Sequence, residues 1–112
     1  MTLRETTDNR EITLAPHDLP VSIAWLFPEY RFESMDAETH EGVIIERVLE
    51  RGTWPELRWL FDRYGENRIA DWLRRHGFRL LSRRSFALWR LVLRVEEYIA
   101  PTWAVEAKAM EW

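Results

Sequence analysis

The stretch T-W-P-E-L-R-W-L-F-D-R-Y-G at positions 53–65 carries the clearest local folding signal in the chain. Thr53 is placed to cap a helix, Pro55 suits the first helical turn, and Glu56 stands three residues after the cap, as a capping box requires. Apolar side chains then recur at the spacing of one helix face, and a glycine ends the pattern. The stretch therefore predicts a helix over 54–64 with an inward face of Leu57, Leu60, Phe61 and Tyr64.

Two helices are predicted upstream of this stretch. Asp18 is placed to cap a short helix that ends just before Pro28, because proline disfavours helical geometry in the residue that precedes it. Asp36 is placed to cap a longer helix over about 37–51, and Gly52 is expected to close it in the left-handed conformation. The inward stripe of the longer helix is Ile44, Ile45, Val48 and Leu49.

Two more helices are predicted downstream. The first spans about 66–76 and is closed by Gly77, after which a short apolar link follows. The second spans about 83–98 and is capped by Ser82 or Ser85. This last helix is the most apolar, so we expect it to be the central one, with the others packed around it. Its main apolar face consists of Leu88, Val92, Val95 and Ile99.

Length and composition predict one soluble globular domain. The chain has 112 residues, of which 46% are hydrophobic and 31% charged, and this balance suffices for one modest core. β-Branched residues never alternate with polar ones over a useful length, so no strand is predicted. We therefore expect an all-α, single-domain bundle of four main helices at 18–99. A flexible N-terminal arm at 1–17 and a C-terminal tail at 100–112 would flank it.

The residues that the sequence lacks narrow the chemistry. The chain has no cysteine, which excludes disulfides, thiolate metal sites and cysteine nucleophiles. Its three histidines lie far apart without metal-ligand spacing, so we expect no metal and no cofactor. Neither a glycine-rich phosphate loop nor a G-x-S-x-G motif occurs, so we expect a protein that is not an enzyme.

The sequence also lacks targeting signals. The opening residues M-T-L-R-E-T-T-D-N-R have no apolar core, so no signal peptide is predicted. No apolar run approaches the roughly 20 residues that a membrane helix needs. We therefore expect a cytoplasmic protein that does not contact a membrane.

Charge is divided into three blocks along the chain. Residues 1–56 carry a net charge of -7, residues 57–94 carry +7, and residues 95–112 carry -3. All basic residues except Lys108 are arginines, which suit protein interfaces and phosphate contacts better than lysines do. The central block either neutralises acidic helices of the same domain, or contacts an acidic protein or a nucleic acid.

A nucleic-acid interpretation rests on the two helices at 54–64 and 66–76, which have the outline of a helix-turn-helix around Gly65. The bulk of Phe61 and the shortness of the turn argue against that motif. The arginines of the central block are nevertheless able to contact phosphates, so a small DNA-binding regulator stays as the alternative.

Tryptophan is unusually frequent, with seven residues in the chain. Four of them fall outside the predicted apolar stripes: Trp54, Trp59, Trp103 and Trp112. Trp54 and Trp59 either cover the rim of the core or belong to a set of anchors for another protein, because tryptophan and arginine dominate interface hot spots.

Three segments together resemble a known family. They are I-I-E-R-V-L-E-R-G at 44–52, W-P-E-L-R-W-L-F-D-R-Y-G at 54–65 and L-L-S-R-R-S-F-A-L-W-R-L-V-L at 80–93. They are similar to a small bacterial and archaeal helical family of unassigned biochemical function. Its members are often encoded beside a nucleotidyltransferase-type toxin of the AbiEii class. The resemblance implies an antitoxin-like partner protein, and it transfers no catalytic residue.

We therefore expect a non-enzymatic partner that binds and neutralises a cognate nucleotidyltransferase toxin. The arginines would face the carboxylates that hold metal in the toxin, and the tail tryptophans would enter apolar pockets. A purely structural homodimer is a third hypothesis. The expected contact residues are Trp59, Arg68, Arg74, Arg75, Arg79, Arg83, Arg84, Trp103 and Trp112.

Overall fold

The computed structural model describes residues 12–100, and these form an all-α domain with four main helices, as the sequence predicts. Two 3-10 helices at Val21–Leu26 and Phe32–Ser34 precede them. The α-helices are α1 (Glu41–Arg51), α2 (Trp54–Tyr64), α3 (Glu66–Trp72), the short α4 (Phe78–Leu80) and α5 (Arg83–Leu93). Within the described range the only β pairing is an isolated bridge between Leu14 and Pro20. Most of the predicted arm and tail, at 1–11 and 101–112, lies outside the described residues.

Helix α1 is the central element of the domain, and it contacts α2, α3, α5 and the first 3-10 helix. Its predicted stripe of Ile44, Ile45, Val48 and Leu49 is fully buried. The prediction that the last helix is central was wrong. Helix α5 packs against the bundle on one face only, because its other apolar face has no helix opposite it within the described residues.

Helix α2 begins with the predicted capping box. The backbone N–H of Thr53 donates to Oε1 of Glu56 over 2.9 Å. The second carboxylate oxygen of Glu56 accepts a hydrogen bond from Oγ of Ser22, which lies on the first 3-10 helix. Glu56 is only 3% exposed, so this carboxylate is a buried link between the helix start and a segment that lies 34 residues upstream.

Two helix boundaries upstream differ from the prediction. Helix α1 starts at Glu41, because Asp36 caps an isolated turn by accepting hydrogen bonds from the N–H groups of Glu38 and Thr39. Asp18 does not cap the first 3-10 helix, whose cap residue is Pro20.

Gly52 does not adopt the predicted left-handed conformation. Its φ of -72° and ψ of 155° are extended, which leads the chain directly into the cap of α2. A Cβ on Gly52 would lie 2.6 Å from the carbonyl oxygen of Val48. Close approach to α1, rather than a positive φ, therefore requires glycine at this position.

Gly77 does not end a helix, contrary to the prediction. The chain passes from α3 through a π-helical turn at Leu73–Gly77 into α4, so that the expected link at 78–81 is helical up to Leu80. A Cβ on Gly77 would lie 2.7 Å from Cδ1 of Leu73 and 2.9 Å from Cε1 of Phe86. Glycine therefore permits the ring of Phe86 to pack directly on the backbone of this turn.

Helix α5 is capped by Ser82, whose Oγ accepts a hydrogen bond from the N–H of Ser85. The helix ends at Leu93, five residues before the predicted end, because Arg94 adopts a left-handed conformation with φ 58° and ψ 44°. The chain then turns back over the bundle. The Tyr98 ring stacks on Phe78 at 5.6 Å, and the N–H of Ile99 donates to the carbonyl of Arg74.

Within residues 12–100, no helix has both the length and the apolar character needed to cross a bilayer.

We expect the substitution Glu56→Gln to lower the free energy of unfolding by about 1–3 kcal/mol, because a neutral amide cannot accept both hydrogen bonds of the buried carboxylate. Urea denaturation measures this loss. Glu66→Gln is the control, since Glu66 is an exposed acid in the first turn of α3, and it should cost less than about 0.5 kcal/mol. Equal losses in the two variants would contradict the linking role of Glu56.

We expect Gly77→Ala to destabilise the domain by about 1–3 kcal/mol, because the added methyl group meets the Phe86 ring, which Phe78 and Tyr98 hold in place. The matched control is Gly42→Ala in α1, where the nearest atom, Nε1 of Trp72, lies at an ordinary 3.6 Å. That control should stabilise the helix by about 0.5–1 kcal/mol. Thermal unfolding of both variants gives the sign of each effect.

Candidate interaction surface

An apolar groove with a volume of about 450 Å³ runs between α2 and α5. Only two of its lining side chains are charged, Arg58 and Asp62, and both belong to α2. The other lining side chains are apolar or aromatic. We call this feature the α2–α5 groove, and its lining is Trp54, Leu57, Arg58, Phe61, Asp62, Leu88, Trp89 and Val92.

The groove exists because α5 has apolar side chains on two faces. Phe86, Trp89 and Leu93 point into the core and are buried. Leu88 and Val92 were predicted to be core residues, but about half of each side chain is exposed. Leu91 is 78% exposed, but it lines a separate cleft with Arg90, Arg94 and Glu96 and not this groove.

The other two residues of the predicted face are not helical. Val95 and Ile99 both lie beyond the left-handed turn at Arg94, so they cannot share a helix face with Leu88 and Val92. Val95 is buried and Ile99 is largely exposed.

The inner wall of the groove is fixed in position. Nε1 of Trp89 donates to the carbonyl oxygen of Leu49 over 3.0 Å, which ties α5 to the end of α1. The Phe61 ring lies 5.8 Å from the Trp89 ring. Both rings therefore present a preformed apolar surface to a ligand, with little side-chain freedom to lose on binding.

Trp54 stands at the mouth of the groove. It is the first residue of α2 and is 74% exposed, the highest exposure of any tryptophan within the described range. The sequence left Trp54 open between the rim of the core and an anchor for another protein, and it is not among the expected contact residues. The folded chain sets it beside Leu88 and Val92 in the groove.

Several of the predicted contact arginines are neutralised inside the domain. Arg68 donates to both carboxylate oxygens of Glu41 and to Glu38. These charged hydrogen bonds connect α3 to the start of α1. The pKa of Arg68 is raised by these two carboxylates, Glu41 first. Arg74 and Arg75 lie 3.9 Å and 3.2 Å from carboxylate oxygens of Asp71, as their helical spacing predicts.

Arg79 and Arg84 differ from that group. Both are exposed, and within residues 12–100 no ion pair joins either of them to a carboxylate. Arg83 is also exposed, although it does interact with other groups of the chain. The block of positive charge is therefore least compensated around α4 and the first turn of α5.

The structure describes one of the three tryptophans that were predicted to contact a partner. Trp59 is half-buried and packs edge-on to Tyr64 with 6.1 Å between ring centroids, so it belongs to the rim of the core. Trp103 and Trp112 lie outside the described residues.

A second cleft of similar volume lies beside Trp25, but its polar groups serve the fold. Arg47 donates to the carbonyl of Leu26 and to both carboxylate oxygens of Glu29. Burial acts to raise the pKa of Glu50, yet hydrogen bonds from Ser82 and Ser85 outweigh it and lower that pKa. Of the two clefts, the α2–α5 groove is therefore the one whose lining side chains make fewer hydrogen bonds and ion pairs within the domain.

Comparison with known proteins gives one result. A model described as a family of unknown function (DUF6922) matches residues 24–73, which run from the first 3-10 helix to the end of α3. The chain is thus similar to a family whose function is unassigned, as its sequence motifs predicted. Helix α5 lies outside the matched range. No curated protein and no solved structure matches the chain.

Alkaline pH offers a test of the packing next to Arg68. Tyr64 is buried and its hydroxyl donates to the carbonyl of Ala37 over 2.7 Å, and burial raises its pKa from 10.0 to about 12. The unfolded chain loses the phenolic proton first, so deprotonation favours unfolding. The contribution of Tyr64 to stability is complete below pH 10 and is lost as the pH rises towards about 12.

We therefore expect the free energy of unfolding of the wild-type protein to fall by up to about 1.4 kcal/mol per pH unit in this interval. In Tyr64→Phe this component of the slope disappears. Denaturation curves at several pH values measure the difference. Parallel losses in the two proteins would show that the Tyr64 hydroxyl is not held neutral by the fold.

Proposed function

We propose that this protein is a non-enzymatic, antitoxin-like partner that binds and neutralises a cognate nucleotidyltransferase-type toxin. The observation that carries the proposal is the open α2–α5 groove, with Trp54 at its mouth and Leu88 and Val92 along one side. Contiguous exposed apolar surface on a small domain is typical of protein–protein contact. Tryptophan and arginine next to such a surface are the residues that dominate binding energy.

The identity of the partner is supported by the resemblance of residues 44–52, 54–65 and 80–93 to a family often encoded beside such toxins. The family model that matches 24–73 carries no function of its own. Protein binding is therefore the part of the proposal supported by geometry, and the toxin is the part supported by sequence similarity.

Neutralisation would use the uncompensated positive charge. Arg79 and Arg84 would face the carboxylates that hold metal in the toxin, or close its nucleotide entrance, while the groove supplies apolar contact area. Arg68, Arg74 and Arg75 are less suitable, because internal carboxylates already compensate them. Trp103 and Trp112 stay proposed anchors.

Co-expression of the full chain with the product of the adjacent gene tests this proposal. We expect restored growth of the host and a complex that survives purification in about 0.5 M salt, where exposed charge pairs are largely screened. The double variant Arg79→Glu, Arg84→Glu should rescue growth less well. Arg31→Glu is the control, since Arg31 is exposed and lies outside the basic block. Absence of any complex together with absence of rescue would refute the function.

A small DNA-binding regulator is the second candidate, and the exposed arginines at 79 and 84 favour it. Against it, Arg68 on the second helix of the helix-turn-helix outline is bound by Glu38 and Glu41, so it is not free for a phosphate. A gel shift with the upstream DNA over a salt series separates the candidates, because phosphate contacts weaken steeply with salt. A salt-sensitive shift without a protein complex would favour the regulator.

A further inference from the structure

We propose that the α2–α5 groove receives one amphipathic helix of the partner protein, with an apolar stripe bordered by aspartate and glutamate. The inference rests on the proposed function for the identity of the partner, and on the groove for the form of the docking element. It concerns which part of the partner binds here, and it assigns the recognition to Leu88, Val92, Trp54 and Arg84.

The shape of the site favours a helix. The groove lies between two helices, so its walls are rows of side chains three or four residues apart. On α5 the exposed members are Leu88 and Val92, which lie four residues apart and so one above the other on the same helix face. A partner helix with apolar side chains at the same spacing places its ridge into this groove.

The charge around the groove favours an acidic partner. Helix α5 and its cap residue carry Arg83, Arg84, Arg90 and Arg94 and no acid. Arg84 precedes Leu88 by four residues, so it lies on the same stripe as the groove wall. Arg90 lies over the rings of Phe86 and Tyr98 on another side of α5, so it does not border the groove.

The charged side chains of α2, which forms the opposite wall of the groove, do not cancel the positive charge on the α5 side. Arg58 and Asp62 line the groove from α2 with one charge of each sign. Because these two charges balance, the positive charge that a ligand meets next to the groove is that of the exposed Arg84 on α5. Acidic residues beside the partner's apolar stripe would complement it.

A second copy of this chain fits the groove less well. Pairing two α5 helices in antiparallel fashion would bring Arg84 of each copy towards Arg94 of the other. Like charges at both ends of such an interface disfavour it. The charge pattern thus selects a different protein over a homodimer.

Two matched peptides test the inference on the full chain. Both are helical, about 18 residues long, with leucines at i, i+3, i+4 and i+7, and they differ only in having glutamate or lysine beside the stripe. Fluorescence anisotropy of labelled peptide measures binding. We expect the glutamate peptide to bind about tenfold or more tightly than the lysine peptide.

Variants locate the binding. Leu88→Asp and Val92→Asp should each weaken the glutamate peptide about tenfold, because they place a carboxylate in the apolar wall. Arg84→Glu should reduce the preference for glutamate over lysine. The control is Leu14→Asp, because Leu14 is 48% exposed and Leu88 is 50% exposed, so the two substitutions carry similar folding costs. Circular dichroism checks that each variant is folded, and the milder Leu88→Gln or Val92→Thr replaces any that is not.

The outcomes distinguish this inference from the proposed function. Equal binding of the two peptides, or binding unaffected by Leu88→Asp and Val92→Asp, overturns the inference even where the toxin complex forms. Failure of both peptides also overturns it, as when the chain's own terminal segments fill the groove. A dimer in light scattering that Leu88→Asp dissociates assigns the groove to a second copy and overturns it. Peptide binding as expected without a toxin complex leaves the inference standing and refutes only the toxin.

Discussion

The carboxylate of Glu56 holds together two parts of the chain that would otherwise meet only through apolar contacts. One oxygen receives the Thr53 N–H at the start of α2, and the other receives the Ser22 hydroxyl from the first 3-10 helix. Because the group is buried, it is costly unless both bonds are made. It therefore fixes the direction in which α2 leaves the bundle, and with it the position of Trp54 over the groove.

The direction of α2 matters for the proposed binding of a partner protein, because α2 forms one wall of the α2–α5 groove. Helix α1 fills the centre, α2 and α5 pack on it, and Trp89 locks α5 to the end of α1. The two outer helices are thereby held apart at a fixed spacing, and the apolar side chains between them stay uncovered within the described part of the chain. An open apolar groove between two helices is the kind of surface that receives an amphipathic helix.

Local signals predicted the helices well and the surfaces poorly. The stripe of α1 and the capping box of α2 depend on residues three or four apart, and both were confirmed. The partners of Arg68 lie 27 and 30 residues away, and no short-range pattern reveals them. The exposure of Leu88 was missed for a related reason, because an apolar helix face looks the same in sequence whether it is covered by this chain or left for another.

The π-helical turn at Leu73–Gly77 has a consequence for how this part of the chain tolerates insertions and deletions. Each helical residue advances the side-chain direction by about 100°, and a π turn holds one residue more than an α turn. Removing one residue here would convert this turn into an α turn and leave Phe78 facing Tyr98 and Phe86 in nearly the same direction. Related chains should therefore lose one residue from this turn more readily than from the regular turns of α3.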